Sequence, residues 1–256
     1  MFNDAPAACD LLVVSPHPDD AEIGLGGTLA TLAARGRCVW ALELTRGELG
    51  TNAGPDERWS ESVAAAQALG LAGRAQLQLP DGFIDGDDAG QAAALVAVIR
   101  RLRPRWLVTA PEPRRHPDHQ ATPGLVERAV FLARLSAWQP PLPALRLHGA
   151  AALPGAVDRW EVQTVGHVTP EDGRPSLLFD IGGHWPAKLA ALACYGSQLQ
   201  RGDGRRATVI NDPAFLQRIE DRARRWGRQA GVEHAEAVTT VQVPVVSDLP
   251  TEPWRS

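Results

Sequence analysis

The stretch VVSPHPDDAEIGLGG, Val13–Gly27, decides how the rest of the chain is read. It sits between two regular elements. DLLVVSP (Asp10–Pro16) has the continuous apolar run of a buried strand, and EIGLGGTLATLAARG (Glu22–Gly36) has the pattern of the helix that follows it, with Gly36 near its C-terminal cap. Between them stand His17, Asp19 and Asp20, with Glu22 just beyond. Burying such groups is costly unless they pair or coordinate something. The loop therefore carries chemistry rather than packing.

Outward from this unit the pattern repeats. Strands are predicted at Cys38–Leu44, Ala75–Pro80 and Arg105–Pro111, and helices at Asp56–Gly70, Ala89–Pro104 and Thr122–Leu135. Strand–helix alternation implies a mostly parallel sheet with helices on both faces, a Rossmann-like doubly wound α/β fold. Residues 136–174 break the rhythm, being rich in Pro, Gly and Trp, with a strand predicted at Glu161–Val168. They read as an elaboration over the mouth of the sheet, within one domain spanning 1–256. A strand at Ser176–Ile181, helices at Pro186–Gln198 and Asp212–Gly231, and an extended end from Val238 complete the expectation.

A second cluster, RRHPDHQ (Arg114–Gln120), follows the fourth predicted strand as the first follows the first strand. In a sheet of order 3-2-1-4-5, strands one and four are neighbours where the winding reverses, and ligands bind there, outside the strands' carboxyl ends. His17, Asp19, Asp20 and Glu22 should then meet His116, Asp118 and His119. Two His and a carboxylate make a catalytic zinc set with one position open. A lone His of this kind is more often a capping or packing residue; three with three Asp at a switch point favour a metal. The rival reading, a dinucleotide loop at GLGG, is incomplete as G-x-G-x-x-G and sits beside repelling carboxylates. Gly24, Gly26 and Gly27 are expected instead to let the first helix approach the sheet. Glu22 is read as a first-turn acid suited to a helix N-terminus, Glu48 as a solvated loop acid, and Tyr195 as core or a subunit contact.

Composition narrows the classes. Hydrophobic content of 44%, charged content of 22% and a net charge of -4 suit a globular domain and argue against a general nucleic-acid binder. Lys188 is the single lysine. Cys9, Cys38 and Cys194 lack metal-ligand spacing and suit a reducing compartment. The start, MFNDAPAACD, carries no signal-peptide pattern, and no apolar run reaches membrane-spanning length. The expectation is a cytoplasmic protein with no membrane partner.

With these motifs in hand, the chain resembles the PIG-L/LmbE-like zinc-dependent N-acetylglucosamine deacetylases, and within them is most similar to those of bacillithiol biosynthesis. The matching segments are SPHPDDAEIGLGGTLA, LTRGELGT, the Arg of DERWSE, LQLPDGF, RHPDH, AVFLARL, YGSQ and WGRQAGVEHAEA, spread over almost the whole chain. The resemblance implies His17, Asp20 and His119 as ligands of one Zn2+ per subunit, with Fe2+ the other divalent ion such a set takes. It implies Asp19 as general base, His116 as oxyanion stabiliser or general acid, and Asp118 as the residue that orients His116 and raises its pKa. Arg58, Asp81 and Arg146 are candidates for gripping the sugar and its substituent. The implied substrate is a small amino-sugar glycoside, first of all N-acetylglucosaminyl malate; alternatives are another N-acetylated amino sugar, a thiol conjugate, or a non-catalytic sugar-binding role. A homo-oligomer, trimer or hexamer, is also implied. Two departures stand out: Phe215 aligns where some relatives have a Tyr near the oxyanion, and the segment from His148 to Arg174 is longer.

Overall fold

The computed structural model describes residues 7–109, 116–149, 153, 155–201, 204–240 and 242. In chain order the elements are β1 (Cys9–Ser15), α1 (Asp20–Ala34), β2 (Val39–Thr45), α2 (Pro55–Leu69), β3 (Gly73–Leu79), α3 (Ala89–Leu102), β4 (Pro104–Thr109), α4 (Pro117–Ala133), β5 (Leu145–Gly149), β6 (Thr164–Val168), β7 (Leu177–Asp180), α5 (Trp185–Ala193), α6 (Gly196–Leu199), α7 (Ala214–Ala230) and β8 (Ala235–Thr240). The end of the fourth predicted strand and most of the extended C-terminal stretch lie outside the described residues.

The sheet order is β5-β3-β2-β1-β4-β6-β8-β7. β1 pairs in parallel with both β2 and β4, β3 continues the parallel run on one side and β6 on the other. β5, β8 and β7 join antiparallel. The doubly wound reading therefore holds, with β1 and β4 adjacent at the reversal. α1, α2 and α5 cover one face and α3 with α4 the other. Strands buried on both faces read as continuous apolar runs for this reason.

Three features differ from the sequence reading. First, α4 begins at Pro117 and not near Thr122, with His116 at its N-cap and Pro123 inside the helix. Proline is favoured in a helix's first turn, and two prolines compete for that place; the earlier one takes it. Asp118 and His119 thus sit on a helix and not on a loop. Second, residues 136–174 supply two strands. β5, unanticipated because it is a short edge strand behind a Pro-rich lead, pairs with β3. Trp160 is buried with its Nε1 donating to the Pro104 carbonyl at 2.8 Å, and the Gln163 N–H donates to the Arg105 carbonyl at 2.9 Å. That part of the segment packs at the start of β4, the end opposite the strands' carboxyl termini.

Third, Gly26 and Gly27 of α1 admit side chains from α5 and its approach. A Cβ on Gly26 would meet Lys188 Cγ at 3.1 Å, and one on Gly27 would meet Ile181 at 2.6 Å. Glu236 of β8 reaches into the helix there, accepting from the Gly27 and Thr28 N–H groups at 3.1 and 2.7 Å. The Ile23 carbonyl in turn accepts from Lys188 Nζ at 3.0 Å and Arg222 Nη2 at 2.6 Å. A buried Lys188–Glu236 pair (2.5 Å) thus ties α1 to α5 and β8 through the helix's backbone groups.

Candidate metal centre

β1 delivers His17 and Asp19 just beyond its carboxyl end, and β4 with α4 delivers His116, Asp118 and His119 alongside. The three imidazoles gather, with ring centroids 4.5 Å apart for His17 and His116, 5.2 Å for His17 and His119, and 5.8 Å for His116 and His119. Asp81, from the loop after β3, joins them.

His17 uses its two nitrogens differently. Nδ1 lies 3.4 Å from Asp20 Oδ2, and that same oxygen lies 3.3 Å from His119 Nε2. Two ligands bound at about 2.0–2.1 Å to a tetrahedral zinc stand roughly 3.4 Å apart. The donor set of His17, Asp20 and His119 therefore fits a divalent ion in both chemistry and spacing, within a group whose ligand atoms all lie within 4.8 Å of one another. The His17 backbone N–H also donates to Asp20 Oδ2, at 3.0 Å, which aims the carboxylate.

His17 Nε2 faces the other way, 3.0 Å from Asp118 Oδ2 and 3.1 Å from Asp81 Oδ1. Asp118 is fully buried, and its carboxylate accepts from the Gly82 N–H at 2.8 Å and the Ile84 N–H at 3.0 Å. Asp81 accepts from the Leu49 N–H at 2.9 Å, while Glu48 accepts from the backbone N–H groups of Asp81 and Arg46. Glu48 is thus a loop tie, not a solvated acid. The Asp118 carboxylate, expected on His116, lies 3.9 Å from that ring and serves His17 instead; the reversed link is the Asp118 N–H donating to His116 Nδ1 at 3.3 Å. Asp81, expected to grip sugar, is also engaged with His17.

The protonation pattern follows. Burial alone would lower the His17 pKa, but the hydrogen bonds to Asp118, Asp20 and Asp81 outweigh it and raise it to about 11. Burial would raise Asp118 and Asp81; contact with His17 and the backbone donors holds both below the usual carboxylate range. Asp20 is likewise held low against its burial, chiefly by His119. Burial and the positive charge of His17 lower His116, against the opposing pull of Asp118. This direction works against the protonated His116 expected from sequence. Its side chain is 44% exposed and open to a ligand.

Asp19 has φ 97° and ψ -30°, a backbone conformation L side chains seldom adopt. Such strain costs on the order of 1–3 kcal/mol and persists where the surroundings enforce it. Arg58 enforces it here, donating to the Pro18 carbonyl at 2.6 Å and to Asp19 Oδ2 at 3.1 Å. Burial pushes the Asp19 carboxyl up to about 7, with Arg58 opposing and Asp20 adding to the rise. Arg58 itself is 5% exposed, not at the rim. The sequence reading gave it to the substrate; the structure gives it to Asp19. Gly47 makes room for it, since a Cβ there would fall 1.9 Å from Arg58 Nη1. Arg146, on β5, reaches the first turn of α2 and pairs with Asp56 at 2.6 Å. Phe215 lies in the first turn of α7, its ring 5.6 Å from the Arg218 guanidinium.

Beneath the site runs a buried network that sequence reasoning missed. Arg74 pairs with Glu22 at 2.6 Å and with Glu43, and donates to the Ser62 carbonyl at 2.8 Å; the Tyr195 hydroxyl donates to Glu22 at 3.1 Å. Glu22 is the first-turn acid of α1 that was expected and is in addition buried in this network, and Tyr195 is core. The signal was present in β2 and β3, where Glu43 and Arg74 interrupt apolar strands at positions that point to one face.

This fold is one that known proteins share. The family described as PIG-L: GlcNAc-PI de-N-acetylase matches residues 12–130. A 1D-myo-inositol 2-acetamido-2-deoxy-alpha-D-glucopyranoside deacetylase of Mycolicibacterium gilvum is 34% identical over 80% of this chain and 86% of its own. A diacetylchitobiose deacetylase of Thermococcus kodakarensis is 30% identical over 94% of this chain and 85% of its own. Among solved structures, a conserved protein from Thermus thermophilus superposes with a TM-score of 0.77 at 34% identity, over 96% of this chain and 99% of its own. The chain belongs to the PIG-L family and is an amide hydrolase.

Proposed function

We propose that the protein is a divalent-metal N-deacetylase that releases acetate from the 2-acetamido group of an N-acetylglucosaminyl glycoside. The observation that carries the reading is the spacing of His17 Nδ1, Asp20 Oδ2 and His119 Nε2, with the Asp19 carboxyl beside them. Zinc is the proposed ion; bound there, it would supply a Lewis acid for the amide oxygen and an acidified water. Asp19, next in chain to a ligand and itself engaged by Arg58, takes the proton from the attacking water. As water oxygen bonds to the acyl carbon and the C–N bond breaks, the amine nitrogen must gain a proton. His116, exposed beside the ligand histidines, donates a hydrogen bond to the oxyanion, and the proton that Asp19 took from water passes to the amine nitrogen.

The aglycone is a separate matter. The relatives named above act on inositol or chitobiose compounds, and we infer a cyclic, hydroxylated aglycone here. The second reading, the malate glycoside of bacillithiol biosynthesis, rests on Arg146 as a carboxylate reader. Asp56 already holds Arg146 at 2.6 Å, so a substrate carboxylate would have to displace it. The test is acetate release by the zinc-loaded protein from the inositol glycoside, the malate glycoside, diacetylchitobiose and free N-acetylglucosamine. Turnover of any supports the deacetylase reading, and the order of kcat/KM decides the aglycone. No acetate from any overturns it.

A further inference from the structure

The loops that hold the site's carboxylates also hold two large apolar side chains out in solvent. Leu49 is 66% exposed and Phe83 is 70% exposed. Single exposed apolar residues are ordinary. This pair is distinguished by what its backbone does. The Leu49 N–H donates to Asp81 Oδ2, and the residues flanking Phe83, Gly82 and Ile84, both donate to Asp118. Phe83 itself closes a turn on the Pro80 carbonyl at 3.1 Å, and its own carbonyl accepts from Gln91 Nε2 at 3.0 Å.

The two side chains belong to one surface. Gly82 has φ +82°, as the third position of a type II turn requires, and a Cβ there would lie 3.2 Å from Leu49 Cδ1. Leu49 therefore rests on the turn that presents Phe83, and its backbone holds Asp81. Nothing in a metal site asks for an aromatic ring in water. A ring carried on a backbone fixed before binding costs less to order on contact, and aromatic anchors of this kind carry much of the energy where a ligand covers them.

We propose that Leu49 and Phe83 form an apolar lip that receives the C–H face of the aglycone ring, so that cyclic aglycones are selected over small or linear ones. The inference rests on the deacetylase reading for its substrate class. It gives the lip the aglycone because the acetamido group must reach the ion, while the lip lies one turn outside the carboxylates that orient His17. A second copy of this chain is the competing occupant, and the test separates it.

The probes are cyclohexyl and methyl 2-acetamido-2-deoxy-α-D-glucopyranoside with the zinc-loaded protein, read both by acetate release and by calorimetric Kd. Wild type should favour the cyclohexyl compound in KM and Kd by roughly tenfold, the low end of what an apolar contact gives. Phe83→Ala and Leu49→Ala should bring that ratio toward one, and Phe83→Tyr should keep it. Sedimentation of wild type and variants should be the same. Turnover without any cyclohexyl preference, a loss equal on both probes, or a change in assembly state on Phe83→Ala overturns the lip. A preference in Kd that Phe83→Ala removes, with no acetate released, keeps the lip and sinks the deacetylase reading. Neither turnover nor preference sinks both.

Discussion

Nε2 of His17 lies 3.0 Å from Oδ2 of Asp118, which leaves Nδ1 for the ion with Asp20 and His119. A carboxylate on the far nitrogen fixes both the tautomer and the ring of a ligand histidine, and losing it typically costs 10–100-fold in metal affinity. Asp118→Asn should weaken zinc binding by about that factor in a chelator competition. The amide keeps the volume but sets an NH2 against the Gly82 or Ile84 N–H. Unchanged zinc affinity would mean that Asp118 does not act through His17.

Asp19→Asn separates binding from chemistry. It keeps side-chain size and a residue type that tolerates positive φ, so the metal should stay and the fold should hold. Removing a general base costs on the order of 10²–10⁴-fold in kcat. A variant that retains zinc and hydrolyses at the wild-type rate would take the base assignment away from Asp19.

How much of this was legible in the chain follows from what each feature depends on. The convergence of His17, Asp20 and His119 was readable because both HPD clusters terminate strands, and strand order alone brings two such ends together. Which histidine Asp118 serves was not readable, because it turns on rotamers across 101 residues of separation. The same holds for Arg58, whose inward course depends on Gly47 leaving space in a neighbouring loop. β5 stayed hidden because a five-residue edge strand carries little pattern, and the start of α4 because two prolines offered it.

Gly47 supplies a sharper test of the Arg58–Asp19 contact than Arg58 itself. Gly47→Ala puts a methyl group on the guanidinium at a residue with φ +64°, so Arg58 must move. Gly36 has a similar φ of +75° but nothing within 4 Å, so Gly36→Ala carries the backbone penalty alone, about 1 kcal/mol. Activity per folded molecule should fall at least tenfold in the first variant and stay within twofold in the second. Equal activities would show that Arg58 position does not matter to Asp19.

The Lys188–Glu236 pair should matter to stability and not to the metal. Removing one partner of a buried pair costs about 3–5 kcal/mol because a charge is left alone. Lys188→Met leaves Glu236 with the Gly27 and Thr28 N–H groups, which places the expected loss near the low end. Chemical denaturation should show it, with zinc affinity of the folded fraction unchanged. A loss under about 1 kcal/mol would mean that the helix N–H groups alone satisfy Glu236.

Glu43 gives the protein a pH dependence with a defined sign. Arg74 faces two carboxylates, Glu22 and Glu43, with no second cation in the contact among the described residues, and the Tyr195 hydroxyl leans on Glu22. Burial pushes the Glu43 carboxyl up from 4.5 to about 7, with Arg74 pulling the other way and Glu22 reinforcing the rise. A folded-state pKa above the unfolded one means that the native state holds more protons between those values. The stability due to Glu43 is then full below pH 4.5 and declines as pH climbs toward 7, at up to about 1.4 kcal/mol per unit. Glu43→Gln cannot ionise and keeps a carbonyl for Arg74. The carboxylates around His17 move stability the opposite way and are common to both proteins, so the comparison is the difference between two urea-unfolding series from about pH 4.5 to 7.5, a window that brackets both values. Wild type should lose stability relative to Glu43→Gln as pH rises through that window. A flat difference would place an ionised Glu43 beside Arg74 throughout, and a rising one would reverse the assignment of the shared proton.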